Sequence, residues 1–88
     1  MDTHTSTSPD RLIYMANQIG DFFKSYPHDQ AVKGIKEHIE KFWDPRMLNQ
    51  IYAIVEQPDN GLKPYALEAI QILAHEEKHE HADTGASG

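Results

Sequence analysis

Prolines divide this chain into segments in which apolar residues recur at the helical period. The five prolines lie at positions 9, 27, 45, 58 and 64. Proline fixes φ and has no amide hydrogen, so it opens a helix at its first position but breaks one in its interior. Between these prolines, apolar residues return every three or four positions, which is typical of amphipathic helices. The sequence therefore predicts an all-α fold, a small four-helix bundle built from three to four short helices.

Capping residues set the expected ends of the helices. The predicted helices run from Ser8 to just before Pro27, from Asp29 to about Trp43, from Pro45 to about Glu56, and from Pro64 onward. Ser8, Asp29 and Asp44 are the expected N-caps, because short polar side chains accept hydrogen bonds from the first free amides of a helix. Residues 1–7 and 79–88 are polar and unpatterned, so we expect a disordered arm and a disordered tail around one helical domain of residues 8–78.

One apolar stripe on each helix is expected to form the core. The stripes consist of Leu12, Met15, Ala16, Ile19, Phe22, Phe23 and Tyr26 in the first helix, Val32, Ile35, Ile39, Phe42 and Trp43 in the second, Met47, Leu48, Ile51, Ile54 and Val55 in the third, and Ala66, Ala69, Ile70, Leu73 and Ala74 in the fourth. Gly34 lies off its stripe, where glycine costs about 1 kcal/mol relative to alanine. Close approach of a neighbouring group is the physical reason that we offer for it.

The fourth helix carries apolar residues on a second side. Tyr65 and Ile72 are seven positions apart and project from roughly the opposite side to the core stripe. A surface helix of an isolated bundle needs only one apolar stripe, so this pair is a candidate contact with another molecule. The alternative is that they are ordinary exposed apolar residues, which are common on protein surfaces.

Composition excludes several classes of function. The formal net charge is −6 and the few lysines are interleaved with glutamates, which argues against binding to nucleic acid. There is no cysteine, which excludes disulfides and thiolate metal sites and fits a reducing compartment. No apolar run approaches the roughly 20 residues that a membrane-spanning helix needs. We therefore expect a cytoplasmic protein with no membrane partner.

A histidine-rich segment near the end of the chain matches a metal motif. His75-Glu76-Glu77-Lys78-His79 fits H-E-x-x-H, and His81 is a conceivable third ligand. A catalytic zinc site also needs a shaped cavity and groups that hydrogen-bond to the imidazoles and orient them, which a polar helix end in a short chain does not supply. We predict a solvated helix end with no catalytic residue, no cofactor and no metal site, and keep metal binding by the three histidines as an alternative.

The break between the second and third helices is the most distinctive stretch of the sequence. It consists of Phe42 followed by Trp43, Asp44, Pro45, Arg46 and Met47. Tryptophan and arginine contribute most to the energetics of many protein interfaces. The residues from Trp43 to Met47 are therefore candidates for partner binding. In the alternative interpretation Trp43 belongs to the core and Arg46 pairs with an acidic neighbour.

Two blocks of the sequence resemble a known family. The blocks are Leu12-Ile13-Tyr14-Met15-Ala16-Asn17-Gln18-Ile19 with Phe22-Phe23, and His38-Ile39-Glu40-Lys41-Phe42-Trp43-Asp44-Pro45-Arg46-Met47, with a looser match at Gly61-Leu62-Lys63-Pro64. In this order they are similar to the delta subunit of NAD-dependent, molybdenum-containing formate dehydrogenase. Lys63 departs from the family pattern, which has an acidic residue before the proline.

The resemblance implies a non-catalytic accessory subunit of a cytoplasmic complex that oxidises formate and reduces NAD. It implies that the molybdopterin, the iron–sulfur clusters and the flavin reside on larger subunits and that this chain binds chiefly the catalytic one. We expect Tyr14 and Asn17 to join the Trp43–Met47 segment in docking. A transient maturation chaperone, a metal-binding protein and a helical oligomer, such as a homodimer of the isolated chain, remain open alternatives.

Overall fold

Each of the four helices begins at a proline or directly after one. A computed structural model describes the backbone of residues 8–87 and the side chains of residues 8–77. The helices are α1 (Pro9–Phe23), α2 (His28–Phe42), α3 (Pro45–Val55) and α4 (Pro64–Ser87). No strand occurs within residues 8–87. The predicted all-α, four-helix fold is confirmed.

Two of the three predicted N-caps are confirmed. The Ser8 hydroxyl accepts a hydrogen bond from the Arg11 amide at 3.2 Å, and an Asp44 carboxylate oxygen accepts one from the Met47 amide at 2.9 Å. The prediction that Asp29 caps α2 is wrong. Pro27 holds the N-cap position of α2 and its carbonyl accepts the Ala31 amide at 2.8 Å, so Asp29 lies inside the first turn.

The core lies where α2 packs between α1 and α4, with α3 closing one side. Its fully buried large side chains come from all four helices and are Leu12, Ile35, Ile39, Ile51 and Ile70. Small residues bring α1 and α4 together, since a Cβ built on Gly20 would lie 3.5 Å from the Cβ of Ala66. No polar or charged side chain is buried among the described residues, so apolar packing accounts for this core.

Three aromatic side chains assigned to the core by the sequence pattern are on the surface instead. Phe22 is 69%, Phe42 65% and Tyr26 47% exposed. The pattern groups residues within a wide stripe, but only the strip of α1 through Leu12, Ala16 and Gly20 is buried. Phe22 lies at the outer edge of that stripe, and Phe42 is the last residue of α2, where Trp43 fills the core.

Gly34 is explained by the ring of Phe23, which packs against it. A Cβ at position 34 would lie 2.6 Å from Cε1 and 2.7 Å from Cδ1 of that ring. The absence of a side chain at Gly34 lets α1 and α2 meet through a phenylalanine. The neighbour inferred from the sequence is therefore Phe23.

The loop between α3 and α4 is a compact turn with two residues of positive φ. They are Asp59, at 53°, and Gly61, at 87°. Asn60 holds the turn together, because its Nδ2 donates to the Gln57 carbonyl at 3.0 Å and its Oδ1 accepts the Leu62 amide at 2.9 Å. The predicted turn is thus fixed by an asparagine side chain.

The ends of the chain differ in how far the structure describes them. The predicted arm of residues 1–7 lies outside the described residues, as does Gly88. For residues 79–87, where we expected a disordered tail, the backbone continues α4 to Ser87. This stretch has no proline but contains Gly85, a poor helix former, and the disorder of the tail stays a prediction. Within the described chain, no helix has the length and apolar character of a membrane span.

Candidate partner-binding surfaces

The corner between α2 and α3 uses most of its distinctive residues for its own structure. Trp43 is only 6% exposed and belongs to the core, while Met47 is half-buried against it. Asp44 caps α3, and Pro45 opens that helix. Pro45 and Arg46 are exposed. Asp44 is exposed as well, so of the five residues predicted to bind a partner here the fold leaves Asp44, Pro45 and Arg46 accessible, with Asp44 engaged as the cap of α3.

Asn17 connects α1 to the loop that precedes α4. Its Nδ2 donates to the Gly61 carbonyl at 3.0 Å, and its Oδ1 accepts the Lys63 amide at 2.8 Å. The Lys63 ammonium lies 3.4 Å from the Asp21 carboxylate and reinforces the same contact. Both ends of the Asn17 amide are therefore used within the fold. They also hold Lys63, the residue that departs from the family pattern, at the start of α4.

Tyr14, the other predicted docking residue of α1, is open to solvent. Its side chain is 63% exposed, and its hydroxyl accepts a hydrogen bond from the Gln18 amide nitrogen at 3.1 Å. The bond orients the ring along the outer side of α1. Tyr14 is thus accessible for contact with a partner.

The second apolar side of α4 is partly covered by the fold. Tyr65 and Ile72 are both half-buried and pack against the core. The Tyr65 ring also meets the His28 ring edge to face, with centroids 5.3 Å apart. The fold therefore uses part of this pair itself, and its contact with another molecule stays a prediction.

His28 joins the start of α2 to α4. Its Nε2 lies 2.7 Å from a Glu68 carboxylate oxygen, and its Nδ1 lies 3.1 Å from an Asp29 carboxylate oxygen. The hydrogen bond to Glu68 and then that to Asp29 raise the pKa of His28 above its ordinary value of 6.5. Asp29 therefore binds the His28 side chain and does not cap α2 as predicted.

The histidine-rich segment is described only in part. His75 lies within the described side chains, whereas those of His79 and His81 lie outside them. Among the side chains of residues 8–77, no group of three or more histidine, aspartate or glutamate residues could hold a metal ion. Metal binding by the three histidines stays an untested alternative.

Sequence reasoning missed an apolar surface formed by α1 and α2. We call this surface the aromatic face and define it by Tyr14, Phe22, Phe23, Tyr26, His38 and Phe42. A shallow groove of about 280 Å³ runs through it and is lined by Gln18, Ile19, Phe22, Phe23 and His38. The described chain has four exposed large hydrophobic side chains. Phe22, Tyr26 and Phe42 are joined to this face by ring contacts, and Tyr14 borders it through its hydrogen bond with the groove residue Gln18. The signal was the width of the α1 stripe, which exceeds what a core of this size buries.

The rings of the aromatic face contact one another. Phe22 and Phe23 pack edge to face with centroids 5.0 Å apart, and Phe23 lies 5.7 Å from Tyr26. On α2 the rings of His38 and Phe42 lie 4.7 Å apart. These contacts restrict the rings before any partner arrives, which lowers the entropy lost on binding.

Comparison with known proteins identifies one matching family. The model of the family described as NADH-dependant formate dehydrogenase delta subunit FdsD matches residues 11–70. The match covers most of the chain, including nearly all of α1, the whole of α2 and α3, and the first turns of α4. No curated protein and no solved structure matches the chain.

Proposed function

The chain belongs to the FdsD family, the delta subunits of NADH-dependent formate dehydrogenase, and on this premise we propose that it is a non-catalytic accessory subunit. In this role it binds the larger subunits of the complex, chiefly the catalytic one, and stabilises their assembly in the cytoplasm. The redox cofactors belong to those larger subunits. The observation that carries the proposal is the family match across residues 11–70.

The surface of the chain supports a role in binding. Four aromatic side chains are between 47% and 69% exposed, and clustered exposed apolar surface often marks an interaction site. Of the docking residues predicted from the sequence, Tyr14, Asp44, Pro45 and Arg46 are exposed and available for direct contact. Asn17 and Trp43 would act indirectly, by holding the backbone that presents these residues.

Deletion and complementation of the chain in its native host test the proposal. The larger subunits are purified by a tag on the catalytic subunit from cells that contain the chain, lack it, or regain it from a plasmid. We expect the chain to copurify in a fixed ratio, and we expect the complex made without it to lose subunits and formate oxidation activity faster on storage. Normal activity and unchanged lifetime without the chain would contradict the accessory role.

The same preparation separates a permanent subunit from an assembly chaperone. A chaperone would raise the yield of assembled complex but would be missing from the purified active enzyme. Finding that result would overturn the proposal of a resident subunit and favour the maturation role.

A further inference from the structure

We propose that the aromatic face is the surface by which the chain docks on the larger subunits, and that it receives an apolar segment with acidic residues at its edge. This inference rests on the proposed function, since it assigns the surface that carries it. The segment is expected to place one large aliphatic or aromatic side chain in the groove between α1 and α2. The groove lining is almost wholly apolar, which suits such a side chain.

The exposed area is large enough to matter for binding. Side chains of this type offer roughly 200 Å² each, so the exposed fractions of Tyr14, Phe22, Tyr26 and Phe42 leave about 500 Å² of aromatic surface open to water. A stable interface takes roughly 800 Å² from each partner. The aromatic face therefore supplies more than half of one partner's share.

The charges at the edge of the face indicate the chemistry of the partner. The Lys41 ammonium lies 5.8 Å from the centre of the Phe42 ring. Arg11 precedes Gln18 and Phe22 by seven and eleven positions, which places it on the same side of α1. Neither Arg11 nor Lys41 has a side chain in an ion pair within the described residues, whereas Lys36 and Lys63, on the α4 side, are paired with Glu76 and Asp21. Glu37, four positions before Lys41, is the carboxylate nearest to Lys41 in sequence on this side of α2.

These charges favour a larger subunit over a second copy of the chain. In a two-fold dimer the same patch faces itself, so the opposing face would again be edged by the cations Arg11 and Lys41. A partner with carboxylates around an apolar segment would pair with them instead. The chain as a whole has a net charge of −6, so the rest of its surface repels an acidic partner. The cations at the edge of the aromatic face therefore also favour one orientation of docking.

Charge insertion on the aromatic face tests the inference. Full-length Phe22→Glu and Phe42→Glu variants are titrated against larger subunits purified from cells that lack the chain. Ala53→Glu is the matched control, because it adds the same charge at an exposed position of α3. Both positions on the face are mostly exposed, so the fold should tolerate them; thermal unfolding checks each variant, and Phe22→Ala with Phe42→Ala replaces any variant that does not fold.

We expect at least a roughly 30-fold weaker binding for each folded variant on the face, the size of a hot-spot loss. Ala53→Glu should bind like the unmodified chain, and Lys41→Glu should weaken binding and reduce its sensitivity to salt. Equal binding by the variants and the unmodified chain would overturn the assignment of the surface, even though the proposed function would stand. No binding by the unmodified chain would contradict the proposed function itself. Variants that only abolish self-association of the isolated chain would show that this face is a dimer interface.

Discussion

Replacement of Asn17 by alanine is the sharpest test of how the fold is held together. The side chain makes two hydrogen bonds to the backbone of the loop before α4, one to the Gly61 carbonyl and one from the Lys63 amide. Asn17→Ala removes both at once. Because α4 contributes Ala69, Ile70 and Leu73 to the core, loosening its entry point affects the whole domain.

The size of the effect follows from the geometry. A hydrogen bond contributes about 1 kcal/mol net, and the loop is exposed enough for water to satisfy the freed groups in part. We therefore expect a loss of about 1–2 kcal/mol in the free energy of unfolding. For a domain of this length that corresponds to a fall of roughly 5–15 °C in the unfolding midpoint.

Thermal unfolding followed by circular dichroism measures this loss. Gln18→Ala is the matched control, since Gln18 is exposed and bonds the Tyr14 hydroxyl on the same helix, so its midpoint should shift little. An Asn17→Ala midpoint equal to that of the unmodified chain would refute the structural role. A stable Asn17→Ala variant that no longer binds the larger subunits would identify Asn17 as a direct contact instead.

Three further predictions concern α2 and its ends. Gly34→Ala should destabilise the domain by about 1 kcal/mol, because the clash with the Phe23 ring outweighs the gain in helix propensity, and the same substitution in a Phe23→Ala background should stabilise it. Denaturant unfolding measures the change in stability that Gly34→Ala causes in the unmodified chain and in the Phe23→Ala chain. Changes of the same sign in both backgrounds would contradict the packing of Phe23 on Gly34. Asp44→Ala should cost about 1 kcal/mol in the same assay, because it removes the cap of α3. The stability that His28 contributes through Glu68 should be fully present below pH 6.5 and decline as pH rises through its raised folded pKa. A His28→Gln variant should lose this dependence, and an unchanged pH profile would argue against the contact.

Local chemistry made the helix boundaries predictable. Pro9, Pro45 and Pro64 each open a helix, and Ser8 and Asp44 cap two of them, so the signals for starting a helix are adjacent in the sequence. The start of α2 was misplaced because Pro27 satisfies the N-cap position with its backbone alone. Asp29 contacts His28 instead, and the other ring nitrogen of His28 contacts Glu68. Glu68 lies forty positions further along the chain, so no local sequence pattern predicts this contact.

The division between core and surface was less predictable. A period of 3.6 residues identifies an apolar side of a helix but gives no boundary between the part that faces the core and the part that faces a partner. Phe22 and Phe42 recur at the helical spacing of the core residues, yet their side chains are exposed. Trp43 has the same period, was assigned both to the core stripe and to partner binding, and is buried. The packing of α1 on α2 decides these cases, and it depends on tertiary contacts such as that of Phe23 with Gly34.

Native mass spectrometry of the active formate dehydrogenase, purified from cells that express the unmodified chain, decides whether the chain is a resident subunit. We expect intact assemblies that hold this chain in a constant ratio to the catalytic subunit and release it together with loss of assembly on gentle activation. Fully assembled, active particles without the chain, from cells in which the free chain is abundant, would contradict this expectation.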